Sequence, residues 1–117
     1  MSRPRDRQCL LDILTNISLI QSFVSGSNWM DFTEDIGRQY QVIRGLEIIG
    51  EAARRLSPAA RASLPEVPWK DWVDFRNRLT HGYDDISLDI VWSTVTEELP
   101  MLAAIIEDIL THKLPGE

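Results

Sequence analysis

Cysteine occurs once in the 117 residues, at Cys9. A single thiol closes no intrachain disulfide and builds no cysteine metal cluster. The simplest setting for such a chain is a reducing, cytoplasmic one, with Cys9 a small residue of a core or helix surface. No apolar run approaches the ~18–20 residues that a membrane-spanning helix requires, so no membrane partner is expected. The basic start, Met1 to Arg7, runs into Asp12 and Asn16. It has neither the apolar stretch nor the small-residue cleavage site of a signal peptide. Alternating strand patterns, internal repeats, low-complexity tracts and linkers are also absent. Histidine and tyrosine are scarce, with two of each in the whole chain.

Positive charge is scarce too, but unevenly. The net charge is −6, which by itself argues against a nucleic-acid binder. Residues 1–81 hold eleven basic and ten acidic side chains, whereas residues 82–117 hold Lys113 alone against eight acidic ones. The deficit therefore belongs to the C-terminal third, which reads as a solvated acidic surface.

What remains is an ordinary globular composition, 44% hydrophobic and 26% charged. At this length the chain reads as one domain, 1–117, able to bury about two thirds of its unfolded surface. The apolar spacing is helical throughout. Residues 5–24 place Leu10, Ile13 or Leu14, Ile17, Ile20 and Val24 on one side. After Ser25-Gly26-Ser27-Asn28, one long helix is expected from Trp29 or Thr33 to Leu56, buried through Tyr40, Ile43, Leu46 or Glu47, Gly50, Ala53 and Leu56. Gly45 and Gly50 each sacrifice about 1 kcal/mol of helix propensity relative to alanine, which predicts close approach of another helix there. Ser57-Pro58 is a capping hydroxyl followed by proline at the first helical position, and Pro65 and Pro68 keep that helix short. Pro68 opens a further helix, and Ser87 caps the last one, starting near Leu88. Pro100 inside its pattern predicts a kink or restart after Glu98. The expected fold is all-α, an up-and-down bundle of four or five helices.

The reactive side chains gather in Phe75-Arg76-Asn77-Arg78-Leu79-Thr80-His81-Gly82-Tyr83. Trp69, Trp72, Val73 and Phe75 give the preceding helix an apolar face, and Gly82 is expected to stop it. His81 then sits on the last turn, where the helix C-terminus favours imidazolium. Arg76 lies five residues earlier, roughly 140° away around the axis. A straight helix does not aim both at one point, so either the last turn unwinds or a second copy of the chain completes the site.

Arg, four residues, His, one residue, Tyr, with Asn directly after the Arg, resembles the signature of HepT-type HEPN proteins. Leu46-Glu47-Ile48-Ile49-Gly50-Glu51-Ala52-Ala53, Pro68-Trp69 and Asp89-Ile90-Val91-Trp92 follow the family's order, and the resemblance covers nearly the whole chain. It implies a helical ribonuclease toxin of a type VII toxin–antitoxin pair, acting as a homodimer. Its partner would be a minimal nucleotidyltransferase antitoxin that adenylylates the motif tyrosine, Tyr83.

The residue types suit that chemistry. Cutting RNA without a metal requires a proton to leave the 2′-hydroxyl, charge on the phosphorane to be held, and a proton to reach the 5′-oxygen. Histidine titrates near neutrality, at a reference value of about 6.5, so His81 is assigned the proton steps. Arginine presents a permanently charged planar fork, so Arg76 is assigned the phosphate, with Asn77 orienting a phosphate oxygen or His81. A two-fold interface supplies two copies of each automatically. Arg78, Lys70, Arg54 and Arg55, with Arg61, are candidates for an RNA path. Competing roles are plain: Arg76 pairing with Asp74 or Glu51, His81 capping its helix, and the basic residues pairing with Glu51, Glu66 or Asp74. Glu47 and Glu51 share a helix face without the histidine of a carboxylate metal site, and no metal or cofactor is expected. Trp29, Trp69, Trp72 and Trp92 read as core or interface anchors. The rival function is a non-catalytic helical subunit that binds and assists a minimal nucleotidyltransferase.

Overall fold

The structure is a computed structural model that describes residues 4–82 and 86–117. Helix α1 spans Pro4–Val24 and buries Leu10, Ile13, Ile17 and Ile20. Gly26, at φ 74°, adopts the left-handed backbone that glycine tolerates, and the Ser27 N–H closes the turn on the Val24 carbonyl at 2.9 Å. A capping box between Asn28 and Asp31 starts α2, Trp29–Glu34.

The expected single helix after that turn is two. Helix α3 spans Ile36–Arg55, and Asp35 both ends α2 and caps α3. Its backbone is extended, and its carboxylate accepts the Arg38 N–H at 2.9 Å. A residue that satisfies an orphan helix donor with its side chain competes with helix continuation, and here it wins. The buried face also differs from expectation at one position. Tyr40 is 59% exposed, while Val42, Leu46, Ile49 and Ala53 form the core side. Tyr40 lies ~150° around the axis from the centre of that group.

Ser57 caps α4, Pro58–Ala62, as anticipated. The fully buried Asp6 carboxylate of α1 accepts both the Ser57 N–H at 2.9 Å and its hydroxyl at 2.7 Å. Burial of a carboxylate is tolerable when hydrogen-bonded in this way. Helix α5 spans Trp69–Gly82. Trp69 and Trp72 are buried, and the Trp69 indole N–H reaches the Leu64 carbonyl at 3.2 Å. Helix α6, Leu88–Ser93, runs through a π-turn, Thr94–Glu98, into α7, Leu99–Leu110. The Leu99 N–H pairs with the Thr94 carbonyl, five residues back. Pro100 has no N–H and its ring crowds the carbonyl four residues before it; the wider turn accommodates both, so the restart falls where the proline predicts. Among the described residues there is no strand.

In packing order, α7 lies against α1, α1 against α3, and α3 against α5. The α1–α3 approach uses Gly45, where an added Cβ would stand 2.6 Å from Ile20 Cγ1. The α3–α5 approach uses Gly50, where it would collide with Arg76 Cβ and lie 3.0 Å from the Trp72 carbonyl oxygen. Both glycines thus buy the close helix contact expected of them. The C-terminal residues fold back over α1. Leu114 is buried, and Arg7 grips the Glu117 carboxylate at 2.7 and 2.8 Å and the Leu110 and His112 carbonyls.

Two stability predictions follow from these contacts. Gly50→Ala meets a Cβ and a backbone carbonyl that cannot swing away, and is expected to lower unfolding free energy by about 1–3 kcal/mol. Gly45→Ala meets side-chain atoms of Ile20 and no backbone, and gains helix propensity; its loss in chemical denaturation should be smaller. Equal losses would contradict the packing difference. The Arg7 hydrogen bonds, then the Leu114 N–H, hold the Glu117 carboxyl down to about 2 from an ordinary 4.5. A depressed folded-state value contributes stability that is complete above pH 4.5 and lost as pH falls towards 2. Thermal melts of Glu117→Gln should therefore lie below wild type at pH 7, with the gap narrowing between pH 4.5 and 2.

Candidate active site

Helix α5 carries Arg76, Asn77 and His81, and its faces are divided sharply. Trp69, Trp72 and Leu79 are buried, while Lys70, Asp74, Asn77, Arg78 and His81 are exposed. Arg76 lies between these faces, its side chain 26% exposed, on the side that meets α3. The helix stays regular through Gly82, one residue beyond the stop expected of that glycine. The last turn therefore does not unwind over His81. Asn77 and His81 share the outer face, within ~40° of each other, while Arg76 stays ~140° from His81.

The α3 side of the site is acidic and basic in alternation. Glu51 accepts two hydrogen bonds from Arg54, from Nε at 3.1 Å and Nη2 at 2.7 Å. The same carboxylate stands 3.4 Å from Arg76 Nη2. The other amino group of Arg76, Nη1, donates to the Asn77 side-chain oxygen at 3.0 Å. One turn away, the Thr80 hydroxyl donates to Glu47 at 3.1 Å. The Glu51 carboxyl is held below the ordinary carboxylate range, first by the Arg54 hydrogen bonds and then, against a smaller opposing effect of burial, by the charges of Arg54, Arg76 and Arg55.

Arg76 pairs with Glu51, one of the two competing partners named from the sequence, and not with Asp74. Asn77 orients the Arg76 guanidinium, a contact that sequence spacing did not indicate. Of the candidates for an RNA path, Lys70 is joined to Asp74 at 2.7 Å, four residues along the same helix, and Arg54 to Glu51 at 2.7 Å. Arg61 donates to the Arg54 carbonyl at 2.7 Å, closing the end of α3. Arg55 and Arg78 are exposed without such bonds among the described residues. Tyr83 lies outside the described residues. Glu47 and Glu51 spend their oxygens on Thr80, Arg54 and Arg76, which is hydrogen-bonding and charge pairing across α3 and α5. Trp69 and Trp72 are core, whereas Trp29, Phe32 and Trp92 form a separate aromatic cluster, with Phe32 and Trp92 centroids 5.2 Å apart.

Comparison with known proteins points one way. The family model described as Ribonuclease HepT-like matches residues 13–109. A Thermococcus cleftensis protein named "Probable ribonuclease HepT" is 38% identical over 93 residues, covering 80% of this chain and 84% of that protein. A Methanocaldococcus jannaschii protein named "Putative RNase" is 36% identical over 107 residues, covering 92% and 98%. A Caldanaerobacter subterraneus protein of the same name is 34% identical over 104 residues, covering 89% and 93%. No solved structure matches the chain.

The Glu51 pairing is directly measurable. Carboxyl ¹³C titration should place Glu51 below the ordinary carboxylate range. Arg54→Ala, which removes the largest cause, should move it upward; an unchanged midpoint would mean that the two side chains do not meet in solution.

Proposed function

The chain belongs to the ribonuclease HepT-like family, and we propose that it is a metal-independent endoribonuclease, the toxin half of a type VII toxin–antitoxin pair. The observation that carries this reading is the placement of Arg76, Asn77 and His81 on one helix whose Arg76 is anchored against Gly50. In this reading His81 takes the proton from the RNA 2′-hydroxyl. The freed oxygen attacks phosphorus, the bond to the 5′-oxygen breaks, and a protonated imidazole supplies a proton to that oxygen, which leaves as the 5′-hydroxyl. The products are a 2′,3′-cyclic phosphate and a 5′-hydroxyl. Arg76 holds the charge that builds on the non-bridging oxygens, and Asn77 holds Arg76.

Two observations favour a homodimeric site. Arg76 and His81 diverge on a regular helix, so one chain does not focus them on one phosphate. His81 lies on the exposed outer face of α5, where a two-fold partner would bring a second pair. Within this proposal the antitoxin is a minimal nucleotidyltransferase that adenylylates Tyr83. An AMP group two residues along the chain from His81 would add bulk and negative charge, which repels RNA phosphate. Arg78 and Arg55, exposed and free of ion pairs among the described residues, are better placed to meet RNA than Lys70 or Arg54.

The rival reading, a non-catalytic subunit assisting a nucleotidyltransferase, draws on the same divergence of Arg76 and His81 and on the Glu51 contact. Expression of the chain alone separates the two: a toxin arrests growth and the arrest depends on His81, whereas an accessory subunit is harmless.

Purified His81→Ala and Arg76→Ala should each lose RNA cleavage by at least about 100-fold, with circular dichroism unchanged. Activity equal to wild type in both would reject the assignment. Incubation with the nucleotidyltransferase and ATP should add the mass of one AMP, and Tyr83→Phe should abolish the gain.

A further inference from the structure

Arg54 stands on the site's edge and was a candidate for touching RNA. Its guanidinium is instead committed to Glu51 through two hydrogen bonds. Glu51 in turn faces Arg76 at 3.4 Å, a charge contact without a hydrogen bond. Three features thus locate the Arg76 side chain: its stem rests on Gly50, Nη1 is held by Asn77, and Nη2 is drawn toward Glu51. Among the described residues no hydrogen bond engages Arg76 Nε. Most of its five donors therefore stay available while its direction is set.

The charges explain why two residues are required. A lone carboxylate beside Arg76 would cancel it and compete with a phosphate for its fork. Arg54 saturates that carboxylate first. The Arg54–Glu51–Arg76 row then carries one net positive charge, located at the member that lies nearest the α5 outer face. Glu51 and Arg54 lie three residues apart on α3, so their contact lies within one helix.

We propose that Glu51 and Arg54 are positioning residues for Arg76, with Arg54 acting on the reaction through Glu51 and not through contact with RNA. The proposal rests on the ribonuclease reading for its kinetic consequences, but not for its structural one. A misdirected Arg76 fails to meet the developing charge on phosphorus, so the loss falls on kcat; displacements of about 1 Å cost up to 100-fold in comparable settings.

The experiment is a double-mutant cycle with Glu51→Gln and Arg54→Ala in the full chain, read as kcat and KM on one RNA across a range of salt. Each single variant is expected to lower kcat by roughly 10-fold or more with KM within about twofold. The double variant should be no worse than the poorer single one, because both act through one contact. Arg54→Ala costing the same factor in the Glu51→Gln background, with a salt slope shallower by about one, would overturn the proposal in favour of direct phosphate contact. Unchanged kcat in Glu51→Gln would also overturn it. A second arm needs no catalysis. The Arg76 Nε–H resonance, assigned by its loss in Arg76→Lys, should be sharp in wild type and broadened or shifted in both variants, while that of Arg78 stays unchanged. An unaffected Arg76 signal sinks the positioning role whatever the chain does to RNA. Loss of cleavage in no Arg76 variant, with the resonance behaving as expected, would instead sink the ribonuclease reading and leave the positioning intact.

Discussion

The crossing of α3 and α5 at Gly50 is the constraint on which the site depends. Without a side chain at that position, the Arg76 stem and the Trp72 carbonyl sit directly on the α3 backbone. The aliphatic part of an arginine is thereby used as packing material while its charged end emerges at the surface. Any residue larger than glycine would lift α5 off α3, and with it Arg76 off Glu51. The same lift would pull Trp72 and Leu79, both buried, away from the core they fill. Stability of the bundle and direction of the candidate phosphate-binding group are therefore set by one contact.

Electrostatics at this crossing differ from those of the molecule. The chain carries −6 overall, yet exposed charges separated by more than about 8 Å are largely screened at physiological ionic strength. What a bound phosphate would experience is the nearby row of Arg54, Glu51 and Arg76, with Arg78 and His81 on the outer face of α5. The acidic residues of 82–117 fall largely on α6, the π-turn and α7 and the segments that flank them, elements that close the bundle and do not carry the motif.

Helix ends were readable wherever a side chain or a proline dictates backbone geometry locally. Ser57-Pro58, the start at Trp69 and the restart before Pro100 all fall where capping and proline chemistry require. The breaks that escaped reading have the same kind of cause seen from the other side. Asp35 sits in an otherwise helical pattern, and nothing in the periodicity shows that its carboxylate would cap α3 and end α2. Tyr40 fits the three- and four-residue spacing as well as Val42 does; only the docking of α1 selects the face through Val42, Leu46 and Ile49. Glu51 was legible as a possible partner of Arg76 and of the nearby basic residues, but that it faces both Arg54 and Arg76 at once depends on how α5 docks on α3.

By itself, then, the sequence determined an all-helical chain, the two glycines that demand close neighbours, and the Arg76-Asn77, His81 motif that leads to the HepT-like family. These are local or periodic properties, written in the order of residues. The pairing of Arg76 with Glu51, the seating of its stem on Gly50 and the Thr80–Glu47 contact were decided by tertiary structure. Each needs two helices brought to a fixed distance and rotation, and that relation follows from how Gly50 lets α5 settle onto α3.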